Sequence, residues 1–266
     1  MSRKAKLTAR TADPFILYQE SVQNVETGVD FLRRVFRSNF GRLPLSLRED
    51  FCGTALLSCN WTTRNRRSTA VGVDLDQETL EWGRRHNLAQ LADPSRVTLI
   101  EGDVRRVRPP KVDVAAAFNF SYCVFKDRRI LVDYFRNVRR GLNSEGCFVL
   151  DLYGGPEAIQ ELEEERKETG FTYVWDQDRY DPITAETTCH IHFRFRDGSE
   201  LRKAFTYDWR LWTIPELKES LLDAGFRSVD VYWEGTDEDG EGNDIYRKTR
   251  RGTADTCWIS YISAVT

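Results

Sequence analysis

The feature that most constrains this chain is a series of short apolar runs in its first half, alternating with helical patterns. Leu43 to Leu47 leads into Glu49-Asp50, Ala70-Val-Gly-Val ends on Asp74, Val97 to Ile100 runs into Glu101-Gly102-Asp103, and Val112 to Phe118 and Cys147 to Leu152 follow. Short, nearly continuous apolar runs alternating with helices mean βαβ units, which imply a parallel sheet covered on both faces. The helices are legible from spacing and caps. Val25, Val29, Leu32, Val35 and Phe36 recur at helical spacing over 24–38, with Gly41 and Pro44 closing the element, and a second helix covers about 55–63. Asp76 is placed to cap a helix over Gln77 to Leu91. Asp127 caps another with Ile130, Leu131, Tyr134, Phe135 and Val138 on one face and Gly141 at its end.

The pattern changes after Gly154-Gly155-Pro156. A charged helix is expected over Glu157 to Lys167, then period-two runs at Phe171 to Trp175, Thr187 to Arg196 and Leu201 to Trp209, the last two joined by the hairpin pair Asp197-Gly198. Helical spacing returns at Thr213-Ile-Pro-Glu216, a capping box with Trp212 and Leu217 placed as a staple, and Gly225 ends that helix. Two last strands, Val229 to Trp233 and Cys257 to Val265, flank an acidic loop over 234–244. The expected fold is α/β: a doubly wound, Rossmann-like, mostly parallel seven-stranded sheet with a small antiparallel β insert after strand five. The expected organisation is a disordered tail over 1–14, an α/β core over 15–155, the insert over 156–211, and completion of the core by 212–266.

Composition narrows the partners. A net charge of -3 with 30% charged residues leaves no broad basic footprint, which disfavours nucleic acid. No apolar run is long enough to span a bilayer, and the basic N-terminus is not followed by the apolar core of a secretory signal. The six cysteines form neither a C-x-x-C pair nor a zinc-spaced cluster. They read as small buried hydrophobes of a reducing cytoplasm.

In an open parallel sheet, ligands bind beyond the carboxyl ends of the strands where strand order reverses. The turn after the first strand, Phe51-Cys-Gly-Thr-Ala55, allows close backbone approach at Gly53. About 21 residues later Asp74 ends the second strand, the spacing at which an acid accepts from ribose hydroxyls. Asp103 ends the third strand in the same layer. A G-x-G-x-x-G diphosphate turn is absent, and the carboxylates of Glu49 and Asp50 would repel phosphates there. They suit a ligand that is cationic at that end. S-adenosylmethionine carries an ammonium and a sulfonium where a dinucleotide carries phosphates.

The segments Leu47-Arg-Glu-Asp-Phe-Cys-Gly-Thr-Ala55, Val71-Gly-Val-Asp-Leu-Asp76, Ile100-Glu-Gly-Asp-Val104, Val112 to Tyr122, Gly146-Cys-Phe-Val-Leu-Asp-Leu152 and Trp212-Thr-Ile-Pro-Glu-Leu with Ala-Gly-Phe226 resemble, in order and spacing, the motifs of class I S-adenosylmethionine-dependent methyltransferases. The resemblance implies that Glu49 contacts the methionyl ammonium, Gly53 approaches the ligand closely, Asp74 takes the ribose and Leu75 lies against the adenine. It further implies that Asp103 accepts from the adenine amino group, the Val104 amide meets a ring nitrogen, and Asn119 and Phe120 line the methyl donor. Tyr18 resembles a tyrosine that some small-molecule members fold over the cofactor. Phe51 and Ala55 replace motif glycines, so a wider turn is expected around Phe51 and Cys52. Tyr122 is the candidate for positioning or deprotonating the acceptor.

The implied reaction is in-line methyl transfer to an N or O nucleophile. The insert would form a substrate lid, and its aromatics (Tyr173, Trp175, Tyr180, Phe193, Phe195, Phe205, Tyr207, Trp209) would wall a small-molecule acceptor pocket, about half of them serving to pack the insert. The competing readings are a catalytically silent nucleoside-binding scaffold and an NAD(P)-linked oxidoreductase. No metal is expected: His190 and His192 share a strand face without an evident third ligand, and the acidic loop departs from calcium-loop spacing.

Overall fold

The computed structural model describes residues 7–236 and 242–266. The chain runs through α1 (Pro14–Val22), α2 (Val25–Phe40), β1 (Ser46–Asp50), α3 (Leu56–Thr63), β2 (Thr69–Asp74), α4 (Gln77–His86), β3 (Val97–Glu101), β4 (Val112–Ala117), α5 (Arg128–Arg140) and β5 (Leu142–Gly154). There follow β6 (Leu162–Lys167), β7 (Phe171–Asp181), β8 (Glu186–Phe195), β9 (Glu200–Arg210), α6 (Ile214–Asp223), β10 (Ser228–Thr236), β11 (Gly242–Thr249) and β12 (Trp258–Val265). Two compact units divide it: Asn24–Gly155 with Trp212–Thr266, and Pro156–Leu211 with the described residues up to Gln23.

The larger unit is built on one sheet in the order β11-β10-β12-β5-β4-β1-β2-β3. The pairs β3-β2, β2-β1, β1-β4 and β4-β5 are parallel, and β12, β10 and β11 run antiparallel beyond them. Every position of β4 is buried, as its apolar run predicts. Its one charge, Asp113, is held by Arg42, by the Leu45 amide and by Asn143. The strand order reverses between β1 and β4, so their carboxyl ends form the crevice where an open α/β sheet binds its ligand. Asp76 caps α4 by accepting from the Thr79 amide, and α4 stops at His86, short of the expected Leu91. Thr213 and Glu216 make the capping box of α6, and Gly225, at φ +94°, closes the turn after it.

The sheet has eight strands rather than seven. The extra one, β11, begins at the end of the expected acidic loop, whose centre (237–241) lies outside the described residues, and continues past it to Thr249. Tyr246 explains it: the ring is buried edge-on against Tyr261, and its hydroxyl donates to Glu234 across the β10-β11 pair. Charged neighbours hide that strand from periodicity.

The smaller unit is a four-stranded antiparallel sheet, β6-β7-β8-β9. The expected helix over Glu157 to Lys167 is instead a short 3-10 turn and the edge strand β6. Local helix pairs are weak beside a full ladder. Here β6 pairs along its length with β7, and Arg194 binds both Glu163 and Glu165. The N-terminal segment also departs from expectation. Residues 15–23 join the insert rather than the α/β core, because α1 buries Leu17 among Phe171, Ile191, Phe193 and Phe195. Part of the expected tail is ordered as well, with Leu7, Ala9 and Ala12 packed on the same cluster and the Ala9 amide donating to Ser199 at 3.0 Å. Among the described residues, no helix is long and apolar enough to cross a membrane.

Candidate functional site

The crevice is framed by the turn after β1. Phe51, Gly53 and Ala55 have φ of +58°, +50° and +57°, so two residues with side chains stand in the left-handed region beside the glycine. This corrects the expectation of a wider turn. The loop is tight, its Ala55 amide donating to the Cys52 carbonyl at 2.7 Å. The strain of the two non-glycine residues, about 1 kcal/mol each, is held by packing. Phe51 sits against Phe125 and Tyr134, and Ala55 is wholly buried. Cys52 is buried with its thiol against Gly72, where a Cβ would lie 2.8 Å from the sulfur, so only its backbone can face a ligand.

Asp74 organises this turn. Its Oδ2 accepts from the Gly53 amide at 2.8 Å and its Oδ1 from the Asp76 amide at 3.0 Å, which leaves lone pairs on both oxygens. Leu75 follows it, 70% exposed, an apolar surface beside the acid. Glu49 is buried at the end of β1, with Oε2 accepting from the Ser58 amide (2.9 Å) and hydroxyl (2.5 Å) in the first turns of α3. Burial pushes its carboxyl up to about 7, against the pull of Ser58, with the negative charges of Asp74 and Asp50 adding to the rise.

Asp50 plays a different part from its neighbour. It lies on the opposite face of β1, fully buried, bound to Arg48 Nε at 2.7 Å and accepting from the Tyr134 hydroxyl at 2.9 Å. Arg48 also donates to the Val104 carbonyl at 2.9 Å. The Asp50 charge is thus spent inside the protein, and the excess negative charge at the first bend belongs to Glu49 and Asp74. Neither carries an ion pair among the described residues.

Beyond β3, Asp103 is gripped by Arg105 through its backbone amide, Nε and Nη2, which holds its carboxyl below the ordinary range and keeps it an acceptor. Val104 is buried, and its carbonyl is shared by Arg48 and Asn137. After β4, Asn119 and Phe120 both lie in the left-handed region, at φ +56° and +57°. Their amides donate to Asp151 Oδ2 at 2.8 Å and Oδ1 at 2.9 Å. Burial raises Asp151 to about 7 although both amides pull it down. This acid was given no role from the sequence. The available signal was a carboxylate set inside the otherwise apolar stretch Cys147–Leu152 of β5, a placement that demands partners.

One expected residue is placed elsewhere. Tyr122 is fully buried, and its hydroxyl donates to the Asp151 carbonyl at 2.8 Å, so it reaches no acceptor and instead joins the 3-10 turn after β4 to β5. Burial raises the phenol well above its ordinary range, which removes it as a base. Tyr122→Phe is therefore expected to lower stability by about 1–2 kcal/mol in thermal melts, with turnover per folded molecule unchanged. Tyr18 lies in the smaller unit, its ring 4.9 Å from that of Phe205. Most of the aromatics expected to wall an acceptor pocket (Tyr173, Trp175, Phe193, Phe195, Phe205, Tyr207) pack in that unit's own core.

No family model and no curated protein matches the sequence. Solved structures do match in fold. An S-adenosylmethionine-dependent methyltransferase from Clostridium acetobutylicum superposes with a TM-score of 0.69 at 18% identity, over 94% of this chain and 96% of that one. CalS10, an amino pentose methyltransferase of Micromonospora echinaspora solved with S-adenosylmethionine bound, gives 0.67 at 16% identity over 100% of both chains. The sugar N-methyltransferase KedS8 from Streptoalloteichus gives 0.64 at 18% identity, over 100% of this chain and 96% of that one. The fold of this chain is that of the Rossmann-like methyltransferases, insert included.

Proposed function

We propose that the protein is a class I S-adenosylmethionine-dependent methyltransferase acting on an N or O nucleophile of a small-molecule acceptor. One observation carries this reading. Glu49 and Asp74, at the carboxyl ends of the adjacent strands β1 and β2, have no cationic partner among the described residues and flank a tight turn with a glycine at its centre. Such a site favours a cation and rejects a diphosphate. The cosubstrate supplies a methyl group on positively charged sulfur, a leaving group that needs no further activation.

The residues present fit that group. Glu49, pinned by Ser58, would take the methionyl ammonium. The Gly53 turn would allow close approach, since a Cβ there meets nothing nearer than Thr79 Cγ2 at 3.9 Å. Asp74 would take the ribose, with Leu75 supplying apolar surface for the adenine, and Asp103 and the Val104 amide would read its edge. Asp151 fixes the left-handed Asn119-Phe120 pair, so that segment would meet the donor already ordered. Cys52 and Phe51 would contribute backbone. Small-molecule acceptors agree with the sugar and amino pentose methyltransferases among the fold neighbours.

The test is a panel of amino- and hydroxyl-bearing sugars and related metabolites, incubated with S-adenosylmethionine and followed by release of the demethylated product. Acceptor-dependent release is expected. Tight binding of donor and demethylated product with no transfer to any acceptor would favour the scaffold reading instead.

A further inference from the structure

The smaller unit holds a polar cluster to which the methyl-transfer reading gives no role. His190 and His192 project from one face of β8 and are both buried, at 3% and 0% exposure. The partners that the sequence did not reveal come from β7, whose Asp176 and Asp178 bring carboxylate oxygens to within 4.8 Å of His190 and of each other.

Two irregularities in the sheet build this arrangement. Gln177 pairs with Cys189 and Arg179 with Thr188, so Asp178 is an extra residue bulged out of β7. On the other side, the β8-β9 register breaks between Ile191 and Phe193, where Lys203 takes a left-handed φ of +50°. Its amide donates to His192 Nδ1 at 2.7 Å. Bulges and strained residues of this kind mark positions where a fold re-aims particular side chains.

The hydrogen bonds assign the two imidazoles different parts. His192 Nδ1 accepts from Lys203, so the neutral ring carries its proton on Nε2 and donates it to Asp176 Oδ2 at 3.0 Å. His192 therefore orients Asp176 and is no ligand, and Glu163, the other group near it, is bound by Arg194. His190 Nδ1 lies 2.9 Å from Thr206 Oγ1, while Nε2 lies 3.3 Å from Asp178 Oδ2. With Nδ1–H donated to the threonine, Nε2 offers a lone pair beside a carboxylate. A separation near 3.3 Å is what about 2.0–2.1 Å metal bonds at a tetrahedral angle produce. Metal-bound histidines almost always donate their other N–H in this way.

We propose that Asp176, Asp178 and His190 bind one divalent transition-metal cation of the zinc type, with His192 and Thr206 positioning the ligands. Lys203 Nζ, 4.0 Å from Asp178 Oδ2, is the competing cation. The site stands whether or not the methyl-transfer reading holds.

Metal-stripped full-length protein titrated with zinc chloride by calorimetry, and with cobalt chloride by visible absorption, tests it. One equivalent is expected, with a cobalt spectrum of nitrogen and oxygen ligation. Asp178→Asn and His190→Gln should each weaken binding by roughly 100-fold, and His192→Gln by about 10-fold. Lys203→Gln should tighten it about two- to fivefold by removing the competing charge, an effect of opposite sign that general damage to the sheet would not give. Asp178 is half-exposed, so Asp178→Asn decides the matter even if His190→Gln does not fold. Absence of one-to-one uptake would overturn the proposal. So would a sulfur-to-cobalt transition, which would place the ion at a cysteine, or affinity unchanged by Asp178→Asn and Lys203→Gln.

Discussion

Asp74→Ala is expected to weaken S-adenosylmethionine binding by roughly 100-fold, the equivalent of two charge-assisted hydrogen bonds. The substitution removes the proposed ribose acceptor and also the carboxylate that holds the Gly53 amide at 2.8 Å. The two effects separate in Asp74→Asn, whose amide oxygen can still accept from Gly53. That variant should keep the Gly53 bond while losing the Asp76 amide bond, since its NH2 cannot accept, so its melting temperature should fall less than that of Asp74→Ala while most of the electrostatic preference is lost. Calorimetric titration of the three proteins checks this, and affinities within threefold of one another would remove Asp74 from the donor site.

The second large effect is on stability. Arg48→Met is expected to destabilise the protein by about 3–5 kcal/mol, a fall of roughly 10 °C or more in the melting temperature. The guanidinium and Asp50 are both fully buried, and removing the cation strands a carboxylate that burial already pushes upward. Arg48→Met with Asp50→Asn should recover most of the loss, because no uncompensated charge then remains and Tyr134 keeps a partner. If the single and double variants melt together, the ion pair does not hold the β1 end in place.

The parallel half of the fold was legible because each of its signals is local. Apolar runs such as Val112–Ala117 can only be doubly covered strands, and Asp76, Asp127, Gly141 and the Thr213–Glu216 box punctuate their helices with hydrogen bonds that the sequence itself spells out. What escaped depends on which partner a side chain or strand finds in the fold, and periodicity does not encode that. The Leu162–Lys167 segment is a strand because β7 and Arg194 are there to receive it, and Gly242–Thr249 is one because Tyr246 finds Tyr261. The same distinction holds in the candidate site. Glu49, Gly53, Asp74 and Asp103 stand out by position at strand ends. The division of labour between Glu49 and Asp50 hangs on Arg48, one residue before the pair and on the Asp50 face of β1, and the role of Asp151 hangs on two amides some thirty positions away. Tyr122 was misjudged for a related reason: proximity to the crevice along the chain says nothing of where a hydroxyl points, and this one is spent on a backbone carbonyl.

The most direct measurement is calorimetric titration of the unmodified protein with S-adenosylmethionine and with NAD at pH 6 and pH 7.5. Glu49 and Asp151, held by burial at about 7, are mostly protonated at the lower pH and mostly ionised at the higher. The ligand-free protein should accordingly lose stability over this interval, since a buried carboxyl raised above its unfolded value is favoured only while it keeps its proton. A cationic donor should gain by the same ionisation, by roughly eightfold for each carboxylate it touches, with proton release on binding at pH 6. Tighter S-adenosylmethionine binding at pH 7.5, with NAD binding weakly at both values, is the expected result. NAD binding more tightly than S-adenosylmethionine, or donor affinity indifferent to pH, would contradict a site selective for positive charge.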